Sequence, residues 1–242
     1  MAIIEFPPIE NADENGVLAF GGDVEVSSLK LAYSQGIFPW PLDDELPLVW
    51  FSPDPRGILF FKHFHLSKSF KKFLTNTSFY VRFNTNFESV ILNCQRSDKR
   101  KEGTWITDEI VEGYIEFHKN GQAFSVETYQ EVEGEETLVG GLYGVNHLNV
   151  VSGESMFYAK DNASKMALYA LCERLHSYGL TWIDTQMVSP ILKNLGAKEV
   201  KRSEFVTMLK LSHNTEREDI FSRLSGEEKW TYRGDFNSTL ER

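Results

Sequence analysis

Turn-forming residues are concentrated in the first sixty of the 242 residues, and they limit what that part of the chain can fold into. Proline lacks a backbone N–H, and glycine weakens the interior of helices and strands, so long regular elements are disfavoured there. The pattern predicts one short helix over 27–35, with Leu29, Ala32 and Tyr33 facing inward and Gly36 ending it. We therefore expect a small irregular N-terminal lobe over residues 1–57. The interrupting residues are Asn15-Gly16, Gly21-Gly22, Pro39, Pro41, Pro47, Pro53, Pro55 and Gly57.

From about residue 58 the spacing of apolar residues becomes regular. The clearest helix follows Asn162, which we expect to cap it, and ends at Gly179, because apolar residues between them recur at helical spacing. The other predicted elements are a strand over Phe79–Phe83, helices over Phe87–Gln95 and from Thr107 to His118, strands over Ala123–Tyr129, Leu138–Val145, Leu148–Ser152, Leu180–Asp184 and Phe205–Leu211, a helix opened by Ser189-Pro190, and a weak helix over Thr215–Leu224 ahead of a polar tail.

This order of strands and helices is typical of an α+β protein. By the order of its elements alone, the large lobe over residues 58–242 resembles the Gcn5-related N-acetyltransferase fold.

Charge and cysteine content narrow the class of protein. The net charge is −10, yet residues 61–105 carry +6 between two blocks of −8, so one basic region could bind a polyanion. Cys94 and Cys172 are the only cysteines, which excludes a disulfide scaffold and a cysteine-ligated zinc site and favours a reducing cytoplasm. The first eight residues do not resemble a signal peptide, and no apolar run approaches the ~18 residues of a membrane span.

Common catalytic signatures are absent. The sequence contains no GxSxG, no phosphate-binding glycine loop and no HExxH, so it supports neither a nucleophile-elbow hydrolase nor a zinc site of the HExxH type. The cluster Gly140-Gly141 with Gly144 lies in a strand pattern, where glycine indicates a bulge or a close backbone approach.

Two carboxylates are better candidates for chemistry. Glu154 lies in Gly153-Glu154-Ser155-Met156-Phe157, which we place directly after a strand, and a carboxylate among such neighbours is poorly solvated unless it binds something. Asp184 ends an apolar strand and is followed by Thr185-Gln186. A paired turn residue at 154 and a helix cap or salt bridge at 184 remain alternatives. Aliphatic residues on the elements expected to converge there are Leu142, Val151, Met156, Leu171, Leu175 and Ile183.

Eight sequence blocks, in one order over residues 6–211, closely resemble the bacterial leucyl/phenylalanyl-tRNA–protein transferase family. The blocks are Asn15-Gly16-Val17-Leu18-Ala19-Phe20-Gly21-Gly22-Asp23, Gly36-Ile37-Phe38-Pro39-Trp40, Trp50-Phe51-Ser52-Pro53-Asp54-Pro55-Arg56, Glu102-Gly103-Thr104-Trp105-Ile106-Thr107, Leu138-Val139-Gly140-Gly141-Leu142-Tyr143-Gly144, Gly153-Glu154-Ser155-Met156-Phe157, Asn162-Ala163-Ser164-Lys165 and Ile183-Asp184-Thr185-Gln186.

The resemblance implies transfer of Leu or Phe from aminoacyl-tRNA to proteins that begin with Arg or Lys, which then enter N-end-rule degradation. Met, which is also unbranched at the β-carbon, is expected as a further donor because the pocket is aliphatic. It implies that Glu154, Asp184 and Gln186 form the catalytic polar cluster and that Trp40 and Trp105 border the terminal adenosine and the aminoacyl site. The six aliphatic residues fall at positions of the side-chain pocket, and Lys68, Lys71 and Lys72 fall on a cationic helix that contacts tRNA.

Such a reaction suits a site without metal or cofactor. An aminoacyl ester is already activated, and an α-amine with a pKa near ~7.7–8 is partly neutral at cellular pH. Asp184 with Gln186 can orient that amine and pass on its proton, and Glu154 can hold the donor's ammonium group. Two alternatives stay open: a coenzyme A-dependent N-acetyltransferase, and a non-enzymatic adaptor that binds tRNA or protein N-termini.

Overall fold

A computed structural model describes residues 2–41, 47–97, 104–215 and 224–232. The protein is a mixed α/β structure, with a small N-terminal domain beside a large mixed sheet that is covered by helices. No helix in these four ranges is long and apolar enough to cross a membrane.

The N-terminal part contains a three-stranded antiparallel sheet in the order β1-β3-β2 and an α-helix. The helix ends where Gly36 adopts a φ of 76°, a left-handed conformation that glycine tolerates best. The helix predicted over 27–35 and its buried face of Leu29, Ala32 and Tyr33 are confirmed. The elements are β1 (Val17–Phe20), α1 (Val26–Ser34), β2 (Phe38–Pro39) and β3 (Val49–Phe51).

The large sheet has the order β10-β4-β9-β8-β7-β6-β5-β11. Strands β8 and β9 run parallel, and the other neighbouring pairs of this sheet are antiparallel. The elements are β4 (Arg56–Phe60), α2 (Lys68–Asn76), β5 (Tyr80–Phe83), α3 (Phe87–Gln95), α4 (Asp108–Lys119), β6 (Ala123–Val132), β7 (Glu135–His147), β8 (Val150–Tyr158), α5 (Ala163–Ser177), β9 (Trp182–Gln186), α6 (Pro190–Asn194), β10 (Lys198–Val200), α7 (Arg202–His213) and β11 (Gly226–Trp230).

Hydrophobic cores form on both faces of this sheet. Successive residues of a strand point to opposite faces; accordingly, Leu142 packs with α2 and α5, whereas Tyr143 packs with α1, α3 and α4. The core that contains Tyr143 joins the N-terminal helix α1 to the large sheet. The proposed division at residue 57 remains a prediction, and β4 runs across it.

Most predicted elements are confirmed, including the helix over Phe87–Gln95 and the N-cap at Thr107, whose side chain accepts a hydrogen bond from the Ile110 amide. Asn162 stands at the predicted cap of α5, but its side chain makes no capping bond and accepts from Lys165 Nζ instead. The strand predicted over Leu180–Asp184 begins and ends two residues later.

Two expectations about the second half were wrong, and one strand was not predicted. The segment Phe205–Leu211 is part of helix α7, because Phe205 and Leu209, one helical turn apart, bury one face together. Strand β8 continues through 158, so Glu154 lies within a strand and not in a turn after it. Residues 226–230 of the predicted polar tail form strand β11 on the edge of β5. Within the weak helix predicted over Thr215–Leu224, residues 216–223 lie outside the described ranges.

Candidate functional site

The site is built where the two parallel strands meet. Ser152 of β8 is paired with Asp184 of β9, and Glu154 and Gln186 follow two residues later on the same strands. Parallel strands carry equivalent positions to the same end of a sheet, which brings the two candidate segments together. Gly57 of β4 pairs with Gln186, and a Cβ at residue 57 would stand 2.6 Å from the backbone carbonyl carbon of Met187. This crowding requires glycine there.

Asp184 is buried and ion-paired with Arg56. Arg56 Nε donates to Asp184 Oδ1 at 2.9 Å and Arg56 Nη2 to Oδ2 at 2.7 Å, and each side chain is at most 2% exposed. The Ser152 hydroxyl donates to Oδ2 at 3.1 Å. A buried carboxylate is stable only when its oxygens are paired in this way. Both oxygens are therefore already hydrogen-bonded.

Arg56 ties together three parts of the chain. Its Nη1 donates to the carbonyl of Gly36 at 2.9 Å, just after α1. Its guanidinium lies 4.9 Å from the ring centroid of Phe38 and 4.4 Å from that of Phe205 on α7. Aromatic faces attract cations and are more favourable when desolvated. The orientation of Asp184 thus depends on the N-terminal part and on α7 as well as on its own strand.

Gln186 connects Asp184 to Glu154. Its backbone N–H donates to Asp184 Oδ1 at 2.9 Å, and its side-chain Nε2 donates to Glu154 Oε1 at 2.9 Å. Gln186 has a φ of 60°, an uncommon backbone conformation for a residue with a side chain. Sparsely populated backbone conformations persist where the surroundings enforce them, and here both hydrogen bonds do so.

Glu154 is partly buried and titrates near neutrality. Burial raises its pKa to about 7, and hydrogen bonds from Gln186 and Tyr33 act in the opposite direction. The Tyr114 hydroxyl donates to Glu154 Oε2 at 3.5 Å, and the hydroxyls of Tyr33 and Tyr114 are 2.5 Å apart. Burial and the adjacent charge of Glu154 raise the pKa of Tyr33 and of Tyr114 well above the usual range of a tyrosine. Both therefore stay protonated as donors.

The six aliphatic residues proposed for a side-chain pocket share one hydrophobic core. Met156 is partly buried, and the other five are buried. The structure thus brings these residues together on the face of the sheet that packs against α5, whose Leu171 and Leu175 are four residues apart. Their role in binding a donor side chain stays a prediction. The residues are Leu142, Val151, Met156, Leu171, Leu175 and Ile183.

Trp40 and Trp105 stack on each other. Their ring centroids are 5.0 Å apart with an interplanar angle of 16°, and both side chains are partly exposed. Residues distant in sequence thus form a paired aromatic surface of the kind on which a nucleobase stacks.

The lysines proposed for tRNA binding lie on α2. Ser67 caps this helix, and Phe70 and Leu74 bury its inner face. Lys68 and Lys72 are exposed, and Lys71 is partly exposed. The helix therefore presents positive charge to solvent on one face, and its opposite face packs Phe70 and Leu74 against the protein.

Sequence reasoning missed four residues that hold the carboxylates: Arg56, Ser152, Tyr33 and Tyr114. Arg56 stood in one of the matched blocks, directly before an apolar strand, where an arginine needs a buried partner. Tyr33 was assigned to the helix core, and nothing local indicated that its hydroxyl lies beside Tyr114. Among the residues that the structure describes, no group of three or more His, Cys, Asp or Glu side chains is arranged to hold a metal ion.

Comparison with known proteins identifies the family. The family profile described as leucyl/phenylalanyl-tRNA protein transferase matches residues 58–210, and its N-terminal domain profile matches residues 22–54. Proteins named leucyl/phenylalanyl-tRNA–protein transferase match most of the chain. The one from Flavobacterium johnsoniae is 47% identical over 206 residues, covering 85% of this chain and 95% of that protein. Those from Pseudoalteromonas atlantica and Pseudomonas entomophila are 46% and 44% identical, covering 86% and 85% of this chain and 87% and 90% of theirs.

The fold, the polar site and these matches define an aminoacyltransferase. Relatives at this identity and coverage share fold and activity class, and they confirm the resemblance inferred from the eight sequence blocks. The chain belongs to the leucyl/phenylalanyl-tRNA–protein transferase family.

Proposed function

We propose that this aminoacyltransferase moves Leu, Phe or Met from aminoacyl-tRNA to the N-terminal amine of proteins that begin with Arg or Lys. The product would then enter N-end-rule degradation in the cytoplasm. The observation that carries the proposal is the hydrogen-bonded chain from Asp184 through Gln186 to Glu154. It supplies groups for an amine and an ammonium within one site.

The reaction is an aminolysis of an ester. The acceptor nitrogen forms a bond to the carbonyl carbon, the bond from that carbon to the ribose oxygen breaks, and the proton lost by nitrogen ends on the ribose oxygen. Holding both reactants in one orientation supplies much of the rate enhancement for such a step. The chain therefore has to position groups and accommodate charge.

Glu154 is proposed to hold the ammonium of the donor amino acid. An adjacent cation favours the ionised carboxylate, so binding would lower the pKa of Glu154 from about 7. Tyr33 and Tyr114 keep its second oxygen oriented. Gln186 Nε2 already donates to Glu154, which leaves the side-chain carbonyl of Gln186 as an acceptor for the incoming amine.

Asp184 is proposed to act on the amine through Gln186. Its oxygens accept from Arg56, Ser152 and the Gln186 amide, so direct contact with an acceptor would require one of these bonds to open. In this arrangement Asp184 fixes the strained backbone of Gln186, and Gln186 holds the amine.

We also infer that the large lobe is similar to the Gcn5-related N-acetyltransferases. Support comes from the parallel pair β8 and β9 within a mostly antiparallel sheet and from helix α5, which connects them. Coenzyme A would need glycine-rich amides at the start of α5, and this helix opens with Asp161-Asn162-Ala163 instead.

Transfer of labelled Leu from Leu-tRNA to a peptide that begins with Arg tests the proposal. The matched control is the same peptide with an acetylated N-terminus, which removes the nucleophile. We expect transfer to the free peptide alone. Thermal stabilisation by acetyl-coenzyme A and not by an aminoacyl-adenosine mimic would favour an acetyltransferase instead.

A further inference from the structure

A second concave site lies outside the cluster of Glu154, Gln186 and Asp184. It is a groove of about 370 Å³, lined by His65 and Ser67 ahead of α2, Lys165 of α5, and Ile191 and Asn194 of α6. Phe70 and Leu195 complete its lining. No lining residue belongs to the polar cluster, the tryptophan pair or the six aliphatic residues proposed for the side-chain pocket.

Its chemistry fits an anionic ligand with a flat ring. Lys165 contributes a cation, and no carboxylate is among the lining residues. Lys165 Nζ donates to Asn162 Oδ1 at 3.1 Å, and an ammonium group has three donors to share. By contrast, a groove between α1 and α4 is lined by five acidic residues and would repel an anion. The volume accommodates one nucleotide unit.

The groove is made by elements that connect the cationic helix to the reaction site. Ser67 caps α2, which carries Lys68 and Lys72. Ile191 and Asn194 belong to α6, which begins four residues after Gln186. Lys165 lies in the first turn of α5, which begins nine residues after Glu154. The groove therefore shares elements with the cationic helix and with the segments that directly follow the strands of the reaction site.

We propose that the groove binds the nucleotide that precedes the terminal adenosine at the single-stranded 3′ end of the donor tRNA. The proposal rests on the proposed function and adds a subsite to it. Lys165 pairs with the phosphate that joins this nucleotide to the adenosine. The exposed ring of His65 stacks on the base, and the amide of Asn194 bonds its polar edge. Single-stranded RNA is bound by this combination of stacking, amide contacts and cations.

Short donors test this subsite directly. Transfer of Leu to an Arg-initiated peptide is measured with leucyl-adenosine and with the leucylated dinucleotide cytidylyl-adenosine. For the unmodified protein we expect kcat/KM to be at least about tenfold higher with the dinucleotide. Lys165→Gln and Asn194→Ala should each remove about fivefold or more of that preference while transfer from leucyl-adenosine stays within about twofold, which also shows that the variants fold.

Matched variants separate charge from side-chain size. Lys165→Arg keeps the cation and should retain the preference, and Lys210→Gln on α7 removes an exposed lysine elsewhere and should change nothing. An equal kcat/KM for the two donors, or a preference that survives both groove substitutions, overturns the subsite. A failure of the proposed function looks different, because the unmodified protein would then transfer no Leu even from intact Leu-tRNA.

Discussion

Arg56 and Asp184 form a two-point ion pair inside the protein, with Arg56 Nε 2.9 Å from Asp184 Oδ1 and Arg56 Nη2 2.7 Å from Oδ2. The pair joins β4 to β9, and Arg56 also bonds the end of α1 through the Gly36 carbonyl. The carboxylate in turn fixes the backbone of Gln186. Arg56, which has no proposed contact with the reacting atoms, thus sets through Asp184 the geometry of Gln186, which is proposed to touch them.

Asp184→Asn should lower turnover by about 100-fold or more, because it removes the charge that pairs with Arg56 and puts an NH2 group in place of one of the two oxygens that accept hydrogen bonds from Arg56 and Ser152. Binding of aminoacyl-tRNA should hardly change. Single-turnover transfer and a filter-binding measurement separate the two effects.

Asp184→Ala adds a second effect. It removes both oxygens that accept from the buried Arg56, whereas Asn keeps one, and breaking a buried pair costs about 3–5 kcal/mol of unfolding free energy. Turnover of Asp184→Asn within a few-fold of the unmodified protein would show that Asp184 is only structural.

The pKa of Glu154 predicts a pH-dependent donor affinity. Since that pKa is about 7 in the free protein, the carboxylate that holds the donor's ammonium is lost as pH falls below 7. KM for the donor should then rise about tenfold per pH unit toward pH 5. In Glu154→Gln this component should disappear while the donor's own titration remains, so the difference between the two profiles isolates Glu154. Tyr33→Phe should move the midpoint upward, because it removes a hydrogen bond to the charged form.

The same group links stability to pH. Glu154 keeps its proton up to about pH 7 when folded but only to about pH 4.3 when unfolded. The folded state therefore binds more protons in this window, and Glu154 makes the protein less stable as pH rises through it. Glu154→Gln should raise the melting temperature more at pH 8 than at pH 4, which thermal unfolding measures. An equal change at both pH values would mean that the carboxylate is not desolvated.

Lys68, Lys71 and Lys72 together should govern the salt dependence of tRNA binding. Their replacement by Ala should weaken binding equally for tRNAs that differ in the sequence of the acceptor arm. It should also reduce the slope of log K against log salt by up to about 2–3. Replacing Lys119, Lys201 and Lys210, exposed lysines of other elements, is the matched control and should leave the slope unchanged. The same slope in both triple variants would place the tRNA elsewhere.

Donor choice should follow side-chain shape. An aliphatic pocket lacks polar groups and discriminates by fit, about 1–3 kcal/mol per methylene. Leu, Met and Phe should transfer well, and the β-branched Ile and Val at least about tenfold worse. Competition among the five labelled aminoacyl-tRNAs measures this, and equal transfer of Ile and Leu would exclude these residues as the selecting pocket.

Leu175→Ala should reduce Leu transfer more than Phe transfer, since the smaller donor loses a larger share of its contacts. Leu175 is fully buried, so this variant should also lose about 2–5 kcal/mol of stability. Transfer should therefore be measured below the melting temperature of the variant. A similar reduction for both donors would indicate general destabilisation.

Trp230→Phe should destabilise the edge of the large sheet. Trp230 of β11 donates from Nε1 to Glu173 Oε2 at 2.9 Å and contacts the ring of Tyr169 on α5, outside the family match that ends at residue 210. Phe keeps the ring but removes the donor, a loss of about 1.5–3 kcal/mol for a bond to a charged group. Chemical unfolding measures this loss of stability. Trp182→Phe, a substitution of a tryptophan that lies away from β11, is the control.

The sequence alone determined the elements whose causes are local. The helix over 87–95, the cap at Thr107 and the stop at Gly179 follow from apolar spacing and end chemistry within a few residues. The family and its candidate carboxylates were also readable, because eight blocks fall in one order.

Tertiary structure decided what depends on distant partners. The segment 205–211 alternates enough to suggest a strand, yet burial of Phe205 against Arg56 and Gly36 favours a helix. Glu154 looked like a turn residue because Gly153 precedes it, but pairing with β7 on one side carries β8 past it. Asp184 and Arg56 are separated by 128 positions in the sequence. The two charges pair because folding removes both from water and places them in contact, and no local sequence pattern encodes that contact.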